Sequence, residues 1–237
     1  MKIERIIEQS FGLLGKVLNE SIALKSGEDF RNAFVYRHAR NIYQLGQDVT
    51  CLLDSGHLDS CPIVVRVMLE SLFKLVAAVK KPEAAAQIVL SEVEDDLGRI
   101  KTWLDPMGCA PAITRLSDFS KRLRTEHGIT SNKKWNTLAC AEAADLGTNY
   151  RHEYFHFSGH THATTGGIIS QELEGGRGHV LQTLLFIVVC AVGHAVQTIQ
   201  THTPQQHIDE SARLLKELLK LVEKGAFQEL DRYNERV

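Results

Sequence analysis

The chain has no excess of either charge: 27 lysines and arginines are set against 29 aspartates and glutamates, a formal charge of −2. No global basic field advertises nucleic acid or an anionic membrane, so a polyanion would have to be met by a local basic patch. Cysteines are few and odd in number. The five of them, Cys51, Cys61, Cys109, Cys140 and Cys190, are scattered through apolar helical patterns and away from metal-ligand spacing. That usage suits free thiols in a reducing cytosol. The start, Met1-Lys2-Ile3-Glu4-Arg5, has no apolar core ahead of a small-residue cleavage site, so no secretory signal is read and a cytoplasmic location is expected. The most apolar stretch, 181–199, approaches membrane-span length, but Gln182, His194 and Gln197 interrupt it and no basic flank anchors it. It reads as a buried core helix, with His194 a satisfied core histidine, and no membrane partner is expected. Alternating strand-like runs are nearly absent, and no internal repeat emerges. Walker-type phosphate loops, serine-hydrolase elbows and catalytic-cysteine patterns are missing as well.

What is present is apolar content of 43% in 237 residues, arranged with helical periodicity. The expected fold is all-α, one domain over 1–237, a bundle of about seven to nine helices. Ile3, Ile6, Ile7, Leu13, Leu14, Val17 and Leu18 trace a first amphipathic helix, closed by Ser26 and Gly27. A second spans 29–53 and stops before Asp54, Ser55 and Gly56. A third is capped around Asp59 and Ser60, takes Pro62 into its first turn and runs to Val79; being apolar on nearly every face, it should be central. A fourth covers 83–103, and the stretch from there to Gly128 is less periodic and more polar. Ser131 and Asn132 offer caps for a short helix through Trp135 and Leu146, with Gly147 as its end. A helix over 148–158 should stop at Gly159, followed by a glycine-rich loop near 165–178 that is a candidate lid. Two last helices are read at 179–202 and 205–234. Trp103 and Trp135 read as core anchors, although Trp135 beside Lys133 and Lys134 could contact RNA if a groove lies nearby.

Chemistry is concentrated in residues 150–162, which hold Arg151, Glu153 and four of the eleven histidines, His152, His156, His160 and His162. Arg151 and His156 are spaced as Arg-x4-His, with a polar residue, His152, directly after the arginine. Here the sequence resembles the HEPN superfamily of helical ribonucleases. The resemblance implies metal-independent RNA cleavage: imidazole shuttles the proton of the 2′-hydroxyl, and guanidinium holds the charge that develops on the phosphate. It also implies a homodimer in which two motifs meet across a groove for RNA. Arg122 and His127 repeat the spacing, but Leu123 follows that arginine, so Arg151 is the better match. Residues five apart on a regular helix lie about 140° apart, so Arg151 would have to reach around or act near the helix start.

A second resemblance covers more of the chain. Val64, Arg66 and Glu70 on the third helix, paired with Tyr150, Arg151, Tyr154, Ser158 and His162, are similar to an uncharacterised family of bacterial all-helical proteins. It carries no activity and directs attention toward His162. Arg66 and Glu70 sit one turn apart among Val64, Val65, Val67, Met68, Leu69, Leu72 and Phe73. Charges in such a helix must be paired or reach a cavity. One reading is an intrahelical pair; the other places them in the pocket of residues 150–162, Glu70 orienting a histidine and Arg66 adding a phosphate contact. A metal site is a further reading, since His152, His156 and His160 recur every four residues. The second Glu-x-x-His of a di-iron bundle and the zinc-protease spacing are both absent, so no metal or cofactor is expected.

The expected function is a metal-independent endoribonuclease of HEPN type, a toxin or antiviral-defence effector. Its site would use Arg151 and His156, with His152 positioning the pair. Arg66, Glu70, Tyr150, Tyr154, Ser158, His160 and His162 would form the supporting pocket. The competing class is a noncatalytic binding or regulatory module that recognises a nucleotide or a protein partner.

Overall fold

A computed structural model describes residues 2–20, 30–103, 110–161, 176–198 and 204–223. The protein is an all-α single-domain bundle, with no strand among the described residues. Its helices are α1 (Lys2–Glu20), α2 (Phe30–Asp54), α3 (Cys61–Lys80), α4 (Ala84–Trp103), α5 (Ala110–Glu126), α6 (Thr137–Ala143) and α7 (Gly147–Asn149). A π-helical turn (Tyr150–Tyr154) then leads into α8 (Phe155–Thr161), and α9 (Gly176–Thr198) and α10 (Gln205–Glu223) complete the order.

The central position of α3 follows from its composition. Val65, Met68, Leu69, Leu72, Phe73 and Leu75 have no exposed surface, and α2, α4, α6, α8 and α9 all pack around this helix. Pro62 occupies its first turn as expected, while Ser60 precedes it without a side-chain capping bond. Helix α9 has the length and hydropathy of a membrane span, yet 67% of that stretch is buried inside the fold. It lies against α1, α2, α3 and α10.

Two helices end as the glycines suggest. Gly56 and Gly128 adopt positive φ, and the next residues close back on the helix, His57 N–H donating to the Leu52 carbonyl and Ile129 N–H to that of Arg124. These are left-handed glycine terminations in which orphan carbonyls gain donors.

Three boundaries differ from the sequence reading. The polar stretch before Gly128 contains α5, which buries only Ser120 and Leu123; so narrow an apolar stripe leaves little periodicity to read. Polar bonds to α4 help hold it, with Arg124 donating to Glu94 at 2.7 Å and Ser120 at 3.2 Å. The short helix α6 is capped by Asn136, whose side chain accepts from Ala139 N–H, and not by Ser131 or Asn132. Trp135 precedes that helix as a buried anchor, its backbone N–H on Ser91 and its indole N–H on Gln87. Gly159 does not stop the helix before it, which continues to Thr161. A glycine inside a helix costs about 1 kcal/mol, and burial of Phe157 is worth more than that. The glycine-rich stretch lies outside the described residues up to 175; Gly176 and Gly178 are helical. The ends expected at Ser26–Gly27, beyond Thr198 and beyond Glu223 also lie outside them.

Helices α1 and α2 meet by exchange of aromatic rings for glycines. The Tyr43 ring of α2 covers Gly15, and the Phe11 ring of α1 sits on Gly46, where an added Cβ would overlap it. Gly46→Ala gains about 1 kcal/mol of helix propensity and incurs about 1 to 3 kcal/mol of overpacking. The expected outcome is a net loss of about 1 kcal/mol, seen as a lower urea midpoint at unchanged slope, and recovery when Phe11→Leu is added. A single variant as stable as the parent would contradict this packing.

Candidate functional site

The π turn puts the Arg-x4-His motif on an unusual backbone. Phe155 N–H donates to the Tyr150 carbonyl, an i→i+5 bond, and also to that of His152. Such a bond stacks residues five apart over one turn, so Arg151 and His156 come closer to one face than a regular α-helix allows. The side chains of Arg151 and His152 are exposed and make no hydrogen bond or ion pair among the described residues. The His152 side chain, expected to position the pair, makes no hydrogen bond to either partner among the described residues.

Below this turn lies a half-buried polar clamp. The Tyr154 hydroxyl accepts from Arg66 Nη2 at 3.1 Å and donates to Glu70 Oε1 at 2.9 Å, while Arg66 and Glu70 pair directly at 3.2 Å. The guanidinium also lies 5.3 Å from the Tyr154 ring centroid, within cation–π range. Burial raises the phenol pKa, and Glu70 raises it further against the opposing pull of Arg66, so the hydroxyl stays a donor. Tyr150 stacks on Tyr154 at 4.9 Å and 17°, and Phe73 of α3 closes the aromatic group at 6.3 Å from both rings. Arg66, Glu70, Tyr150 and Tyr154 are thus brought together. Glu70, however, holds a tyrosine and not a histidine, because Tyr154 fills the space between the two charges.

The other side of the segment faces α9. Glu153 is paired with His179 at 3.0 Å and accepts from Thr183 at 3.0 Å. The His156 ring meets that of His179 at 4.9 Å and 76°, and Phe157, almost wholly buried, lies 5.2 Å from His179. Burial would raise the Glu153 pKa, but His179 and Thr183, with the charge of His156, hold it below its ordinary value. Sequence reasoning missed His179 and Thr183 and gave Glu153 no partner. The available signal was slight: His179 is the polar residue that opens the apolar run of α9. Ser158 is half-buried on α8; His160 is on the same helix with its side chain outside the described residues, and His162 lies outside them altogether. No group of three or more metal-ligating side chains occurs among the described residues.

A family model matches residues 32–176, more than half of the chain. The chain belongs to DUF5677, a family of unknown function. The DUF5677 region runs from α2 to the start of α9 and includes both halves of the clamp and the π turn; His179 and Thr183 lie just beyond it. The likeness to an uncharacterised helical family holds at that level, and no HEPN or ribonuclease family model matches. No curated protein and no solved structure matches the chain.

Two outcomes follow from this geometry. Tyr154→Phe keeps the ring stack and removes the shared hydroxyl, so stability should fall by about 1 to 2 kcal/mol in urea unfolding; no change would mean the clamp is incidental. Glu153, with its folded pKa depressed, contributes stability at pH values above 4.5 that is lost as pH falls through the lower folded value. Glu153→Gln should flatten that acid limb, and a variant retaining the parent's full acid dependence would place the titration elsewhere.

Proposed function

We propose that this DUF5677 protein is a metal-independent endoribonuclease centred on Arg151 and His156. The observation that carries the reading is the i→i+5 bond from Phe155 to Tyr150, a widened turn that brings the backbone positions of Arg151 and His156 toward one face of the helix. Support also comes from the Glu153–His179 pair, which sets a second imidazole against the first.

In the proposed reaction His156 removes the proton from a ribose 2′-hydroxyl, and the 2′-oxygen attacks the adjacent phosphorus. Arg151 holds the negative charge that grows on the phosphate oxygens. The bond from phosphorus to the 5′-oxygen breaks, and that oxygen takes a proton from His179, leaving a 2′,3′-cyclic phosphate and a 5′-hydroxyl. Glu153 keeps His179 oriented for this step. The proposed working form is a pair of chains. Phe155, 70% exposed beside His156, and Ile63 and Val67, 45% and 40% exposed beside Arg66, give the site an apolar margin suited to a second copy.

The test uses purified protein and total RNA in EDTA. Cleavage to 2′,3′-cyclic phosphate ends should fall about 10²- to 10⁴-fold in Arg151→Ala and in His156→Ala. The reading fails if the parent leaves RNA intact or if both variants cleave as it does. Sedimentation as a monomer at micromolar concentration would remove the two-copy form, and Phe155→Asp should produce that monomer.

A further inference from the structure

A second Arg-x4-His, Arg122 and His127, borders a groove that the cleavage chemistry does not use. Three cavities run together along α4. One, of about 420 Å³, is lined by Arg37, Arg40, Val89 and Phe119. The next, of about 590 Å³, shares Phe30 with the first and includes His127, whose ring lies 4.8 Å from that of Phe30. The last, of about 200 Å³, shares Gln87, Ile129 and Ser131 with the second and reaches Lys133.

The charge in this groove is uneven. Glu94 and Asp95 line its far end but are paired with Arg124 at 2.7 Å and Lys134 at 2.8 Å. Glu83 lines the middle cavity. Arg37 and Arg40 are exposed on adjacent turns of α2 and make no ion pair among the described residues. Across from them, the Arg122 guanidinium lies 5.3 Å from the Phe119 ring centroid. That guanidinium is itself 4.0 Å from Glu126, so Arg37 and Arg40 are the groove's contribution of cations with no carboxylate paired to them among the described residues. Set beside half-exposed aromatic rings, they form the combination that holds a phosphate backbone while bases stack. An acidic peptide would use the cations and leave the rings idle.

We infer that the α2–α4–α5 groove binds single-stranded nucleic acid, with Arg37 and Arg40 on phosphates and Phe119 and Phe30 against bases. This inference stands on the groove alone and does not depend on the chemistry at His156. The two residues of the duplicated motif part on this surface, His127 lining the middle cavity and Arg122 lying over Phe119.

The experiment measures fluorescence anisotropy of labelled single-stranded RNA and DNA of about ten nucleotides, with the full chain carrying His156→Ala so that RNA survives. Arg37→Ala with Arg40→Ala should weaken binding about tenfold and lower the log–log salt slope by about 1.4, two phosphate contacts at about 0.7 each. Phe119→Ala should weaken binding with the salt slope unchanged. Arg213→Ala with Lys216→Ala, on α10, should change neither, and circular dichroism verifies that each variant is folded. The inference is overturned if no strand binds, if the α10 variant loses as much as the groove variant, or if polyglutamate competes as well as nucleic acid. Binding with no cleavage by the parent would sink the ribonuclease reading and leave the groove standing. Cleavage with binding untouched by the groove variants would do the reverse.

Discussion

A helix buried along most of its length cannot carry an arginine and a glutamate unless something meets them, and α3 carries both. Removing one partner from this half-buried pair leaves the other charge partly desolvated and without its counter-ion, at a cost below the ~3 to 5 kcal/mol of a fully buried pair. Direct pairing of Arg66 with Glu70 at 3.2 Å satisfies part of each group and leaves donors and lone pairs to spare. The Tyr154 hydroxyl takes up part of that remainder on each side at once. The segment that bears Tyr154 is therefore fixed to α3 by polar bonds that its aromatic stacking alone would not direct.

Fixing Tyr154 constrains its neighbours along the chain. Tyr150 stacks on Tyr154 toward α3, while Glu153 and His156 meet His179 on α9. The backbone serves both faces by widening one turn, the i→i+5 bond between Tyr150 and Phe155. A widened turn gives up the tighter α-helical bonding, and it persists where the surrounding contacts over-determine the side-chain positions. Here those contacts are the clamp on one side and the Glu153–His179 pair on the other. The candidate chemistry sits between two polar anchors on two different helices.

How much of this could be read from residues alone depends on the range of each interaction. The all-α class and the centrality of α3 follow from short-range periodicity, which a linear sequence displays directly. Two charges inside an apolar helix announce that a partner must exist, and the aromatic-rich stretch at 150–154 supplied it. The identity of that partner was not legible, since burial favours a tyrosine hydroxyl that can accept and donate together. His179 lies 26 residues from Glu153, across the glycine-rich stretch, and no local pattern links them. Helix α5 escaped for the opposite reason, because it buries so little that its periodicity is faint. The π turn has no residue signature of its own; it is the outcome of packing on two sides.

The two Arg-x4-His motifs show what spacing can and cannot decide. Arg122 stands on the regular helix α5, and His127 follows its last turn, where Gly128 takes a left-handed conformation and closes the helix. Their side chains consequently part company, Arg122 over Phe119 and His127 against Phe30. Arg151 and His156 have the same separation in sequence on a different backbone, because the π turn lies between them. A motif defined by counting residues assumes a backbone. In this protein the clamp on α3 and the Glu153–His179 pair hold the widened turn under one of the two copies, and the arginine of that copy is exposed with no carboxylate paired to it among the described residues.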